Sequence, residues 1–161
     1  MTDGIRFSEL LAYNRLETAR WKEWFRNHPH ALDAPCDIAG GKTVKDLLFH
    51  VFFVELHFAH MAGSLPKPDH NLLPRATLDE LFGVSEDATR KTEQFLSSAT
   101  SSEWDETIPL GFRDAKATRR KMLAQAFLHG VHHRGQLAVI LRQQGFKDLW
   151  VHDIVITNAL A

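Results

Sequence analysis

"FLHGVHHRGQLAVILRQQG", Phe127 to Gly145, says most about how this chain folds. Apolar residues (Phe127, Leu128, Val131, Leu137, Ile140, Leu141) recur through it at helical spacing, and no proline interrupts it. Thr118 upstream can cap a helix start, and Gly145 can accept the backbone turn that ends one, so a helix is predicted over about 118–144. At about 100° per residue, His129 and His133 lie about 40° apart on successive turns, and Gln125 and Gln136 fall on the same stripe. That stripe is polar over several turns yet flanked by large apolar residues, the pattern of an internal cavity lining.

Three more helices are expected. The first spans Phe7 to Asn27, with Ser8 as a possible cap, Leu10, Leu11, Tyr13, Leu16, Trp21, Trp24 and Phe25 as its core face, and His28-Pro29 as its end. The second begins at Thr43, with Asp46 three residues on, and reaches about Gly63. The third begins at the capping-box tetrad "TLDE", Thr77 to Glu80, and continues to about Ala99, with Gly83 as a weak point. "SLPKPDHNLLP" is a proline-broken loop, residues 101–116 read as an irregular or short-hairpin connection, and the tail 146–161 is apolar enough to pack back on the body. No repeat or interdomain linker divides residues 1–161. Four helices of about 20 to 27 residues with few strand signals predict one all-α domain, a four-helix bundle.

Composition removes several function classes. The chain has 161 residues, 44% apolar and 24% charged, with a net charge of -1 and a pI near 6.8. That balance gives no global field toward nucleic acid or an anionic membrane. The local basic run Arg119-Arg120-Lys121 reads as the solvated first turn of a helix. A single cysteine, Cys36, permits no internal disulfide and sits in a loop with no base beside it in sequence. With no signal-peptide pattern and no membrane-length apolar run, the expectation is a cytoplasmic protein.

Histidine is the unusual feature: ten in the chain, six of them in the second and fourth helices. The second helix, "KDLLFHVFFVELHFAHMAG", carries His50, His57 and His60. His50 sits among "LLFHVFFV", and a buried imidazole needs a partner for each nitrogen. Two readings follow for His50, His129 and His133: hydrogen-bonded core histidines, or a metal site joining two helices. Other metal sites do not fit. Gly130 stands where a metalloprotease helix needs glutamate, no Glu-x-x-His pair exists for a di-iron centre, and one cysteine cannot make a thiolate-rich zinc site.

These residues resemble a known family. "HGVHHRGQLAVILRQQG" is similar to the signature of the DinB/YfiT-like superfamily, "LLFHVFFVELHF" to its second-helix motif with an acidic residue five after the histidine (His50, Glu55), and "LLAYNRLETARW" to its first helix. The resemblance covers nearly the whole chain and weakens in the tail. It implies a four-helix bundle, often dimeric, in which His50, His129 and His133 hold a divalent metal. It also implies chemistry on a small molecule, with a low-molecular-weight thiol as cosubstrate in transferases and isomerases of the family.

An ion held by three imidazoles keeps open positions, so water activation is a second possibility, and the donor set suits zinc, nickel, cobalt, copper or iron, with zinc or nickel the expected ion. His57, His132 and Gln136 are candidates for the proton-transferring group. Arg134 projects off the ligand stripe and is expected to pair with a carboxylate, Glu55 being the candidate. Gly135 is expected to let helices approach. The competing function is a non-catalytic stress-response or ligand-binding bundle whose metal is structural or vestigial.

Overall fold

The computed structural model describes residues 5–69, 76–111 and 114–153. Four long helices form the body: α1 (Phe7–Asn27), α2 (Val44–Ala62), α3 (Leu78–Ser98) and, after two small intervening elements, α5 (Arg119–Gln143). The fold is all-α in its load, as the periodicity predicts. Between α3 and α5 lie a one-turn helix, α4 (Ser101–Asp105), and an antiparallel hairpin of β1 (Thr107–Pro109) and β2 (Lys116–Thr118), in which Ile108 pairs with Ala117. The hairpin was legible in the connection; α4 was not, although Thr100 and Glu103 form the same reciprocal cap that marked the longer helices.

The start signals work as the chemistry requires. Thr43 accepts from the Asp46 amide while Asp46 Oδ2 accepts from the Thr43 amide, and Thr77 and Glu80 repeat the exchange. Thr118 accepts from the Lys121 amide, and Gly145 follows α5 at φ +94°, a conformation costly for residues with a Cβ. At α1 the cap position is Arg6, not Ser8; its amide donates to Glu9 at 2.6 Å. The break at Pro29 leads into a short 3-10 turn, Pro29–Asp33.

Helix α2 is apolar on nearly every side, and such a helix belongs in the interior. It packs against both α3 and α5, while α1 lies against α3 and closes on α5. Trp21, Phe25, Phe82, Leu47, Leu81, Leu137 and Leu141 are among the most deeply buried side chains, with Phe52 and Phe82 rings 4.9 Å apart at the centre. Each such side chain contributes roughly 1.5–3 kcal/mol by leaving water.

Two expectations need correction. Arg119 is not solvated: it is buried, donates to Glu106 at 2.7 and 3.1 Å and to the carbonyls of Met61 and Ala62, and so ties the start of α5 to the end of α2. Its neighbour Arg120 does remain outside, paired with Asp105 at 2.7 Å. Gly135 is not a close-approach point, since an added Cβ there would meet nothing within 4 Å. Gly130 is: its missing Cβ would stand 2.8 Å from Glu55 Oε1.

The described part of the tail returns to the body, as its apolar character predicts. Phe146, Leu149 and Trp150 pack on the main core. Trp150 Nε1 and His152 Nδ1 donate to Glu17, a fully buried carboxylate on α1, at 3.0 and 2.6 Å, and the Tyr13 hydroxyl donates to the His152 carbonyl. Residues 154–161 lie outside the described residues. Among the described residues no helix is long and apolar enough to cross a membrane.

Candidate metal centre

The seam between α2 and α5 brings together the three histidines. His129 and His133 project from one face of α5 as their four-residue spacing requires, and His50 faces them from α2. His50 Nε2 lies 3.0 Å from His129 Nε2, which lies 3.1 Å from His133 Nε2. One nitrogen from each ring falls within a sphere of mutual distances no greater than 4.8 Å, and this is the metal-competent group found among the described residues. His133 is buried; His50 and His129 are half-buried.

The proton count shows why a cation fits. The His133 Nδ1 lies 2.7 Å from Gln136 Oε1, an oxygen that only accepts, so Nδ1 carries the proton and Nε2 presents a bare lone pair to the cluster. The His129 Nε2 cannot satisfy both neighbours: protonated, it has one hydrogen for two nitrogens, and unprotonated it sets lone pair against lone pair. A positive ion among the three nitrogens satisfies all of them at once. Nitrogens bound tetrahedrally to zinc at about 2.0–2.1 Å stand about 3.3 Å apart, close to the separations of His129 Nε2 from its two neighbours. The second nitrogen of His129, Nδ1, is buried and without a hydrogen-bond partner.

Electrostatics favours the ligand-competent form. Burial pushes the His129 pKa down to about 4, with further lowering from His133, His50 and His132. Burial lowers His50 also, aided by His133. At His133 burial again dominates, opposed by the Gln136 hydrogen bond and aided by His132. All three rings are therefore neutral at pH 7, as metal ligands must be. The neighbours that lower them are themselves titratable histidines, and among the described residues no carboxylate acts on the three rings.

The remaining sequence candidates occupy different positions. Gln136 orients His133. His132 is exposed, with its ring 5.0 Å from that of His133. His57, two turns along α2 from His50, stacks on Phe53 at 6.4 Å and is outside the three-ring cluster. His60 is also outside it, with Nδ1 donating to the Pro66 carbonyl at 2.5 Å. Cys36 is buried, and burial raises its thiol pKa, which suppresses a nucleophilic thiolate.

Arg134 pairs with Glu55, as its place off the ligand stripe predicts, within a larger network. Arg134 Nη2 lies 3.3 Å from Glu55 Oε1 and donates to Asn14 Oδ1, Asn14 Nδ2 donates to Glu55 at 3.4 Å, and Ser85 Oγ donates to Glu55 at 3.0 Å. These four side chains join all four long helices directly behind Gly130, between the two α5 histidines. Burial raises the Glu55 pKa, against the lowering by Arg134, Ser85 and Asn14. Ser85, on a helix whose sequence carried no functional pattern, gave no signal of its role.

A four-helix bundle with three histidines gathered on the α2–α5 seam defines the class. Residues 1–156 match the DinB family, and the chain belongs to it. The fold is similar to the crystal structure of a DinB-like protein, YjoA, from Bacillus subtilis, with a TM-score of 0.62 and 21% identity over 91% of this chain and 96% of that one. No curated protein matches the chain.

Proposed function

We propose that the protein is a metal-dependent enzyme whose three-histidine centre activates a low-molecular-weight thiol, or water, for attack on a small-molecule substrate. The observation that carries this reading is the convergence of three neutral Nε2 atoms in a cluster that, among the described residues, includes no carboxylate. Three neutral ligands leave the full double charge of a bound zinc or nickel ion unbalanced, and an anionic fourth ligand such as a thiolate or hydroxide is then strongly favoured. When bound, the ion supplies the Lewis acidity that lowers the pKa of a coordinated thiol or water.

The chain's own residues would do the rest. Gln136 holds His133 in the tautomer that points Nε2 inward, and the Glu55–Arg134–Asn14–Ser85 network fixes the stretch of α5 between the ligands. His132, exposed beside His133, is the group we assign to accept the proton of the incoming nucleophile, with His57 as the alternative on α2. Burial of the three ligands disfavours their protonation and keeps protons from competing for the centre. The exposed Leu128, Val131 and Val139 on α5 support a homodimer.

The test is cobalt substitution followed by titration with a small thiol. A sulfur-to-metal charge-transfer band that is lost in His50→Ala, with the fold retained, is the expected result. Full cobalt occupancy without a spectral change for any thiol would favour hydrolysis. A non-catalytic bundle would show, in addition, no exchangeable water on the ion.

A further inference from the structure

Behind the histidine cluster lies a small cavity, set into the core where α1, α2 and α5 meet. Its lining includes Thr18, Trp21, His133 and Arg134, with Leu47 and Val51 of α2 closing the apolar side. Three of these side chains bring an unmatched polar atom: Thr18 Oγ1, Trp21 Nε1 and Arg134 Nη1 are buried and have no hydrogen-bond partner among the described residues. Trp21 is 1% exposed and Arg134 6%, so bulk water does not serve them. Buried polar atoms are nearly always matched, and three unmatched ones around a single cavity point to a common occupant.

We propose that this cavity is the binding site of one water molecule, held as a fixed part of the core by Thr18, Trp21 and Arg134. Size selects the ligand. The space open to the centre of a water-sized sphere is about 10 Å³, the smallest that admits a single water and too little for a polyatomic anion. The hydrogen-bond count also matches. The water oxygen accepts from the Trp21 indole N–H and from an Arg134 Nη1–H, and one of its hydrogens goes to Thr18 Oγ1, giving the three bonds usual for a buried water. Charge argues against a halide in the same place. Arg134 is already paired with Glu55 at 3.3 Å, so a second anion beside it would leave a buried negative excess.

The position gives the water a purpose. Arg134 Nη2 is committed to Asn14 and Glu55, and the water would engage the other arm of the guanidinium, fixing it from α1 as well. Thr18 and Trp21 sit one turn apart on α1, so the site ties that helix to the α5 segment carrying His129 and His133.

Two measurements test this on the full chain. In a high-resolution crystal structure, a water oxygen should lie about 2.7–3.2 Å from Thr18 Oγ1, Trp21 Nε1 and Arg134 Nη1. A cavity without density there, or an anomalous bromide peak there after crystallisation in bromide, overturns the proposal. In solution, water oxygen-17 relaxation dispersion should count one fewer long-lived water in the double variant Thr18→Val, Trp21→Phe than in the parent, with helical content unchanged. An equal count in a folded double variant also overturns it. If the double variant does not fold, the single change Thr18→Val, which keeps the side chain's shape, is read by the same two measurements.

Discussion

Gly130 and Glu55 lie in contact across the α2–α5 seam: a Cβ at position 130 would stand 2.8 Å from Glu55 Oε1 and 3.1 Å from Arg134 Nη2. Glu55 is held in place by Arg134, Asn14 and Ser85, so it has little room to yield. Gly130→Ala should therefore lose roughly 1–3 kcal/mol to overpacking, against a gain of about 1 kcal/mol in helix propensity. Gly135→Ala meets nothing within 4 Å and should keep the propensity gain. Thermal unfolding should place Gly135→Ala above the parent and Gly130→Ala at or below it. The reverse order would show that the four-residue network is looser than its burial indicates.

Metal content follows from the lone-pair arrangement. The reconstituted protein should hold about one divalent ion per chain. His129→Ala and His133→Ala should abolish tight binding, and His50→Ala should abolish or sharply weaken it, while His60→Ala should leave it unchanged because its ring is committed to Pro66. Elemental analysis with circular dichroism separates lost binding from lost fold. Equal loss in all four variants would refute the ligand set.

Gln136 offers a finer test of the same centre. Its Oε1 accepts from His133 Nδ1 at 2.7 Å, and removing such an outer partner typically costs about 10–100-fold in metal affinity. Gln136→Leu should show a loss of that order in competition with a chelator. Gln136→Glu, which keeps the acceptor, should recover most of it.

The pH dependence has a fixed sign. His129 titrates at about 4 in the fold against about 6.5 unfolded, so between these values the unfolded chain binds more protons. Stability of the metal-free protein should accordingly rise with pH across that window and fall as pH drops from about 6.5 toward 4. The lowered values of His50 and His133 act in the same direction. His129→Gln, measured by denaturant unfolding at several pH values, should flatten the slope. An unchanged slope would mean that His129 is not shielded.

Glu17 anchors the tail. Burial raises its pKa, but hydrogen bonds from His152 and Trp150 outweigh burial and hold it below the usual carboxylate range. A depressed carboxylate stabilises above its unfolded pKa and loses that contribution as pH falls through its folded value. Glu17→Gln should cost about 2–3 kcal/mol, the scale of hydrogen bonds to a buried charge, and should red-shift Trp150 fluorescence as the segment loosens. A shift in stability without any change in tryptophan emission would disconnect Glu17 from the tail.

The four helices and the pairing of two histidines on α5 follow from local sequence alone. Thr43, Thr77 and Thr118 are local switches whose partners lie three residues away, and the His129–His133 spacing is a property of the helix alone. Contacts set by the chain's return on itself were beyond it. Ser85 and Asn14 meet Glu55 from helices 30 and 41 residues away, Arg119 is drawn into the core by Glu106 and the α2 carbonyls, and Trp150 finds Glu17 across 133 residues. The two glycines make the same point: periodicity puts Gly130 and Gly135 about 140° apart on α5, but only the packing of α5 on α2 puts a carboxylate against the first and open space beside the second. Periodicity tells which face a residue occupies; which neighbour arrives there is decided by the tertiary fold, because burial obliges each polar group to find a partner wherever the packed helices supply one.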